Sequence, residues 1–266
     1  MAHTISALRS QMEAALASRV LAPFTYRNRR IVETVPAGIP EIDSLTGGLP
    51  RGGLTEICGP NCSGRTSLLI SALAARTTSR EACVLIDGRD SFDPHSAERA
   101  GVELSQLLWV RCRNMDQALR STDLVLQSGG FGMVALDLGD LPHEAVRRVP
   151  LHVWFRFRRA VEDTPTIFAV IEQEPHAKTC ASLVLRMEAA AGLWPNASDR
   201  AEDFFARPHT FLFEGFVLRA KKDRSRVQAV EWGADGDQMA LFKTVEYPLS
   251  KWTIPKTEKR TGESRK

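Results

Sequence analysis

Residues 54–67 read LTEICGPNCSGRTS: a short apolar run, Leu54 to Cys58, breaks at a glycine turn and passes into a helical pattern, SLLISALAARTTS. Strand, glycine turn and helix in that order make the context of a phosphate-binding loop. The N–H groups of the turn wrap phosphate oxygens, and the positive end of the following helix dipole adds to the field. Gly59 and Gly64 stand at the G-x-x-x-x-G spacing, so the candidate nucleotide contacts are Gly59, Pro60, Asn61, Cys62, Ser63, Gly64, Arg65, Thr66 and Ser67. The Thr66 hydroxyl falls where the pattern binds Mg²⁺. Arg65 departs from the pattern, which asks for lysine. Lysine is a compact point charge, whereas arginine is longer, planar and forked, so the exchange is not conservative. The bland alternative is a glycine-rich turn with no ligand, and the rest of the chain weighs against it.

Upstream, VPAGIPEIDSLTGGLPRGG predicts a turn, a short helix about Ile42 to Leu45 and a glycine-rich connection into the first strand. Downstream, apolar runs recur at Ala82–Asp87 (ACVLID), Leu107–Val110, Gly132–Asp137 (GMVALD), Thr166–Ile171 (TIFAVI) and Ser182–Met187. They lack polar alternation, as parallel strands buried on both faces do. Helical patterns lie between them at 91–100 and 116–128, and a basic helix is expected over 144–162. A hairpin is expected from Phe211–Arg219 and Arg226–Trp232, joined by KKDRS. The alternation predicts an α/β fold with a mostly parallel twisted sheet flanked by helices. In such sheets ligands collect at the carboxyl ends of strands. Asp87 and Asp137 end two strands and Gln173 follows a third. An aspartate after an apolar strand, downstream of a phosphate loop, matches the partner that holds Mg²⁺, and both Asp87 and Asp137 answer to it; the bland alternative is a helix cap or turn residue.

The whole chain sets the bounds. Its 266 residues are 43% hydrophobic and 25% charged, enough for a large core without disulfides or metal staples. The formal net charge of +3 is only mildly basic. Five scattered cysteines without a C-x-x-C pair argue for a reduced compartment and against a zinc site. The sequence shows neither a signal peptide nor an 18-residue apolar run, so the expected location is cytoplasmic, with no membrane partner. Residues 1–34 are read as an N-terminal helix, with apolar residues at helical spacing over 4–20, and a linker. Residues 35–249 are read as the core and 250–266 as a disordered basic tail carrying Trp252 and Ile254.

Taken in order, these parts resemble the RecA family. GIPEIDSLTGGLPRGGLTEICGP resembles the family's lead-in and GPNCSGRTS its phosphate loop. VLIDGRDSFDPHSAERAGVELSQLLWVRC resembles the next strand–loop–helix, including Asp93 and Pro94. MDQALRSTDLVLQSGGFGMVALDLGDLP resembles the segment with the Mg²⁺-binding aspartate, Asp137 here. The resemblance covers about residues 35 to 232. It implies a RecA-like core with ATP and Mg²⁺ as candidate ligands and Gln173 as the nucleotide-sensing glutamine. It also implies a glutamate that orients the attacking water. Arg89 stands at that position, and the adjacent Asp90 is the candidate substitute base. After Gln173 only EPHAKTCA precedes the next strand, where RecA carries a long flexible loop.

A short RecA-like core with replaced catalytic positions and a basic tail is similar to the ImuA family, RecA paralogues encoded with a Y-family-like polymerase homologue and an error-prone polymerase. That resemblance implies an accessory role in SOS mutagenesis and translesion synthesis, through contacts with RecA and the polymerase partner, with ATP hydrolysis weak or absent. The competing reading is an active DNA-dependent ATPase of recombinational repair. Single-stranded DNA is a candidate partner through Arg147, Arg148, Arg156, Arg158 and Arg159 and through Lys221 and Lys222. Both basic groups have bland alternatives: a solvated helix face for the arginines, and contacts between protomers of a homo-oligomer for the lysines.

Overall fold

In the computed structural model, which describes residues 32–193, 215–225 and 239–243, the apolar runs lie side by side in one sheet. The chain divides into two units, Met1–Val32 and Glu33–Lys266, and every described helix and strand belongs to the second. A small ribbon, β1 (Thr34–Val35) with β2 (Leu49–Pro50), brackets helix α1 (Pro40–Thr46). Pro40 fixes the start of α1, and Gly47, left-handed at φ 77°, ends it.

Strand β3 (Gly53–Cys58) then leads through the glycine loop into α2 (Arg65–Thr78). The remaining elements are β4 (Cys83–Asp87), α3 (Pro94–Arg99), β5 (Leu107–Arg111), α4 (Met115–Ser128), β6 (Met133–Asp137), α5 (His143–Arg147), α6 (Leu151–Val161), β7 (Ile167–Glu172), β8 (Leu183–Leu193), β9 (Gly215–Ser225) and β10 (Met239–Lys243). The sheet order is β10-β9-β8-β3-β7-β6-β4-β5. The six strands from β8 to β5 are parallel, and β9 and β10 add antiparallel at one end. The sheet is thus mostly parallel and flanked by helices, as the strand–helix alternation predicted.

Each face of the sheet carries its own core. On one, Leu68, Leu69 and Leu73 of α2 pack over Ile57, Leu85, Ala135 and Ala169. On the other, Trp154 and Phe157 of α6 pack over Leu54, Val84, Phe168 and Val170. Trp154, Phe157 and Phe168 form an edge-to-face chain with ring centroids 6.1 and 5.8 Å apart. This arrangement fixes β3 in the middle of the sheet, with its loop at the carboxyl edge.

Three expectations need correction. The helix expected over 144–162 is two helices, α5 and α6, because Pro150 lacks an N–H and excludes the helical conformation from Val149. KKDRS is not a turn but the second half of β9, whose partners are β8 and β10. Its charges find partners in α1, on β8 and in the β7–β8 connection: Lys222 Nζ donates to the Leu45 carbonyl, Asp223 pairs with Arg186, and Arg224 donates to the Lys178 carbonyl. Strand β8 runs six residues beyond Met187, to Leu193. The N-terminal helix over 4–20, the strand at 226–232 and the tail at 250–266 lie outside the described residues. No helix among the described residues is long and apolar enough to cross a membrane.

Candidate functional site

The loop after β3 is shaped by close backbone contacts that admit few side chains. Gly59 N–H donates to the Glu172 and Gln173 carbonyls at 3.3 and 3.1 Å, tying the loop to the end of β7. A Cβ on Gly59 would lie 2.3 Å from the Met187 carbonyl oxygen, so glycine is required. Cys62 (φ 62°) and Gly64 (φ 86°) both take the left-handed conformation and curl the chain into the first turn of α2. Asn61 to Ser67 line an open cavity together with Asp140, Phe216 and Leu218. A second cavity adjoins it past Arg65 and Thr66, lined among others by Phe92, Asp93, Asp137, Gly139 and Asp140.

Arg65 opens α2, and its side chain folds inward to 6% exposure. Nη2 donates to Asn61 Oδ1 at 3.1 Å within the same loop. Nη1 is buried and has no hydrogen-bond acceptor. It points at the loop after β6, since a Cβ on Gly139 would stand 3.2 Å from Arg65 Nη1 and equally 3.2 Å from Asp137 Oδ1. A buried guanidinium with an open valence favours an anion in the adjoining space.

Asp137 ends β6 on the α2 face of the sheet and accepts the Gly139 N–H at 2.9 Å. Burial pushes its carboxyl up to about 6, helped by the charges of Asp87 and Asp140 and opposed by Gly139 N–H and Arg65. Thr66 and Asp137 line the same cavity. Gln173 Nε2 donates to the Gly139 carbonyl at 3.2 Å, which links the end of β7 to this loop.

The residues after β4 do something different from what their order implied. Asp87 is buried and organises the following loop: Oδ1 accepts the N–H groups of Arg89 and Ser91, and Oδ2 accepts those of Phe92 and the Trp109 indole. Arg89 is exposed and lines neither cavity. Asp90 is left-handed at φ 60°, and its carboxylate is engaged by the Arg111 guanidinium on β5 through Nε and Nη2. That hydrogen bond and charge hold the Asp90 carboxyl below its ordinary value. Asp90 is thus drawn away from both cavities. Asp93, which does line one, caps α3 by accepting from His95 and Ser96. Asp140 lines both cavities and was missed in the sequence, although DLGD after an apolar strand holds two acids. Phe216 and Leu218 come from β9, about 150 residues later in the chain, and carried no sequence signal.

The residues read as DNA contacts, Arg147, Arg148, Arg156, Arg158, Arg159, Lys221 and Lys222, line neither cavity. Arg147 and Arg148 are exposed at the end of α5. On α6, Arg156 pairs with Asp123 of α4 at 2.8 Å and Arg159 is exposed, while Arg158 is half-buried. This helix covers the face opposite α2. Lys221 and Lys222 lie on β9, and the Lys222 ammonium is spent on capping the end of α1.

With this geometry established, comparison with known proteins gives a consistent result. Residues 3–141, about half of the chain, match the RecA N-terminal domain family. The RecA protein of Acinetobacter baumannii is 31% identical over 135 residues, which cover 50% of this chain and 39% of that protein. RecA of Streptomyces ambofaciens is 28% identical over 135 residues, covering 50% and 36%. RecA of Psychrobacter cryohalolentis is 38% identical over 107 residues, covering 40% and 30%. The chain therefore spans well under half the length of the curated relatives it matches.

Proposed function

The chain belongs to the RecA N-terminal domain family, and on that premise we propose that it binds ATP at the loop of residues 59–67 without turning it over efficiently. We further propose that it serves as a RecA-like accessory protein in SOS-induced repair and translesion mutagenesis. One observation carries the first part. The phosphate loop ends in a buried, open-valence guanidinium, while the position of the water-orienting acid is Arg89 and its neighbour Asp90 is engaged by Arg111. Binding needs the first feature and hydrolysis needs an acceptor for the attacking water.

Within this reading the loop N–H groups and Arg65 grip the phosphates, and Gln173 senses them through the Gly139 loop. Thr66 and Asp137 would hold Mg²⁺, which when bound supplies positive charge to the phosphates. The accessory role, with RecA and an error-prone polymerase or its Y-family-like homologue as partners, draws on the resemblance to the ImuA family and on the short connection after Gln173. The test is steady-state ATP turnover with and without single-stranded DNA, beside capture of RecA and the polymerase homologue by the full chain. Partner capture with negligible turnover is the expected result. Failure to capture either partner overturns the accessory role.

A specific observation favours a second reading, the active DNA-dependent ATPase. Asp140 lines both cavities beside Thr66 and is a carboxylate that could accept a proton from water. DNA-stimulated turnover that disappears in Asp140→Asn would establish it.

A further inference from the structure

The local charge at this site carries one more conclusion, which rests on the reading that the loop binds a nucleotide. In a lysine-bearing loop the cation is a point charge, and a divalent metal supplies the rest of the neutralisation. Here Arg65 is nearly fully buried, bonded on one side to Asn61, with Nη1 buried and lacking a hydrogen-bond acceptor on the other. That nitrogen and Asp137 Oδ1 both approach Gly139, where an added Cβ would stand 3.2 Å from each. The guanidinium therefore stands in the gap between the phosphate loop and the metal-binding aspartate.

We propose that Arg65 takes over the charge-neutralising part of the metal, so that this chain binds nucleotide phosphates with little dependence on Mg²⁺. The physical argument has three steps. Arginine stays protonated, so its charge is always present. Its planar fork can engage two phosphate oxygens at once, while a lysine ammonium engages them as a point. Its Nη1 is buried without a hydrogen-bond acceptor, a cost that a bound phosphate oxygen relieves and that the nearby Asp137 charge offsets only in part. Thr66 and Asp137 then remain able to recruit a metal, but the affinity does not hinge on it.

The deciding measurement is equilibrium binding of ATP to the full native chain by calorimetry, once in excess Mg²⁺ and once in excess EDTA. The Kd is expected to change by less than about threefold. The same pair of titrations on Arg65→Lys is expected to show a loss of more than about tenfold on chelation. A native chain that loses as much on chelation as tightly metal-dependent sites do, about tenfold or more, overturns the proposal while leaving nucleotide binding intact. An absence of binding in both buffers overturns the proposal and the nucleotide-site reading together. The native comparison decides the matter even where Arg65→Lys fails to fold.

Discussion

Glu56 and Glu172 meet through their side chains, both fully buried, on the neighbouring parallel strands β3 and β7, close to the glycine loop that follows β3. Glu56 Oε1 accepts the N–H groups of His176 and Ala177 at 2.8 and 2.6 Å, and Glu172 Oε2 meets His176 Nδ1 at 2.8 Å. Glu56 Oε2 has no donor from any other group, which is where a proton shared with Glu172 belongs. The ring of His176 in turn lies 5.3 Å from that of His143, and Glu174 and Arg147 are the nearby charges. The cluster sits at the origin of the short connection from β7 to β8.

The first prediction concerns the pH dependence of stability. Burial pushes the Glu56 carboxyl up to about 8 and that of Glu172 to about 7. Unfolded, both titrate near an ordinary glutamate value of roughly 4.3. The folded chain therefore binds more protons between those limits, and stability falls as pH rises through them. His176, which burial holds below its ordinary value, acts in the opposite sense, but only below about 6.5. Asp137, at about 6, titrates mostly beneath that limit too. From about pH 6.5 to about 8.5 the glutamates dominate, and urea unfolding should show a loss on the order of 1 kcal/mol or more. Glu56→Gln, which keeps a hydrogen-bond donor toward Glu172, should flatten that slope. A native profile that is flat or rising over this window would sink the shared proton.

The second prediction concerns Asp90. Its carboxylate is exposed and engaged by Arg111, whose guanidinium also lies 4.9 Å from the Trp109 ring centroid. Exposed pairs of this kind contribute little to stability and are screened by salt. Asp90→Asn, which tolerates the left-handed backbone at φ 60° that alanine resists, should therefore leave the thermal midpoint, the ATP affinity and any residual turnover where they were. Turnover lost at unchanged affinity would mean instead that Asp90 leaves Arg111 and serves as the base.

These two cases also mark what was legible in the sequence. The loop was legible because Gly59, Gly64 and the apolar run before them are local requirements of one turn. The strand ends at Asp87 and Asp137 were legible from their apolar runs, but both fit the same pattern, and only the resemblance of its segment singled out Asp137. The inward fold of Arg65 was not, since it depends on Asn61 and on the backbone at Gly139, more than seventy residues away. Asp90 and Arg111 are brought together only by the pairing of β4 with β5. KKDRS was misread through its charge. It holds no Gly, Pro or Asn, and Asp223 and Ser225 alone were a weak turn signal; the pairing with β8 and β10 decides for a strand. Pro150, in the middle of the expected 144–162 helix, was likewise a visible stop signal.

The third prediction rests on the contact between Gly64 and β9. A Cβ on Gly64 would lie 2.1 Å from Leu218 Cδ1, so the glycine loop after β3 is roofed by a side chain from the antiparallel end of the sheet. Gly64→Ala faces two penalties: a left-handed backbone, typically about 1 kcal/mol or more, and the collision with Leu218. Leu218→Ala alone should cost about 2–5 kcal/mol, because Leu218 belongs to the core beneath α2. In the double variant the collision is gone while the backbone strain remains. The combined loss of stability should fall short of the sum of the single losses by on the order of 1 kcal/mol. ATP affinity, weakened in Gly64→Ala by displacement of the loop, should recover in part when Leu218→Ala is added. Strict additivity in both readouts would show that the loop accommodates a methyl group without touching β9. A measured coupling would mean that the loop's geometry is felt in β9, and so in the β8–β9 pair that borders β3.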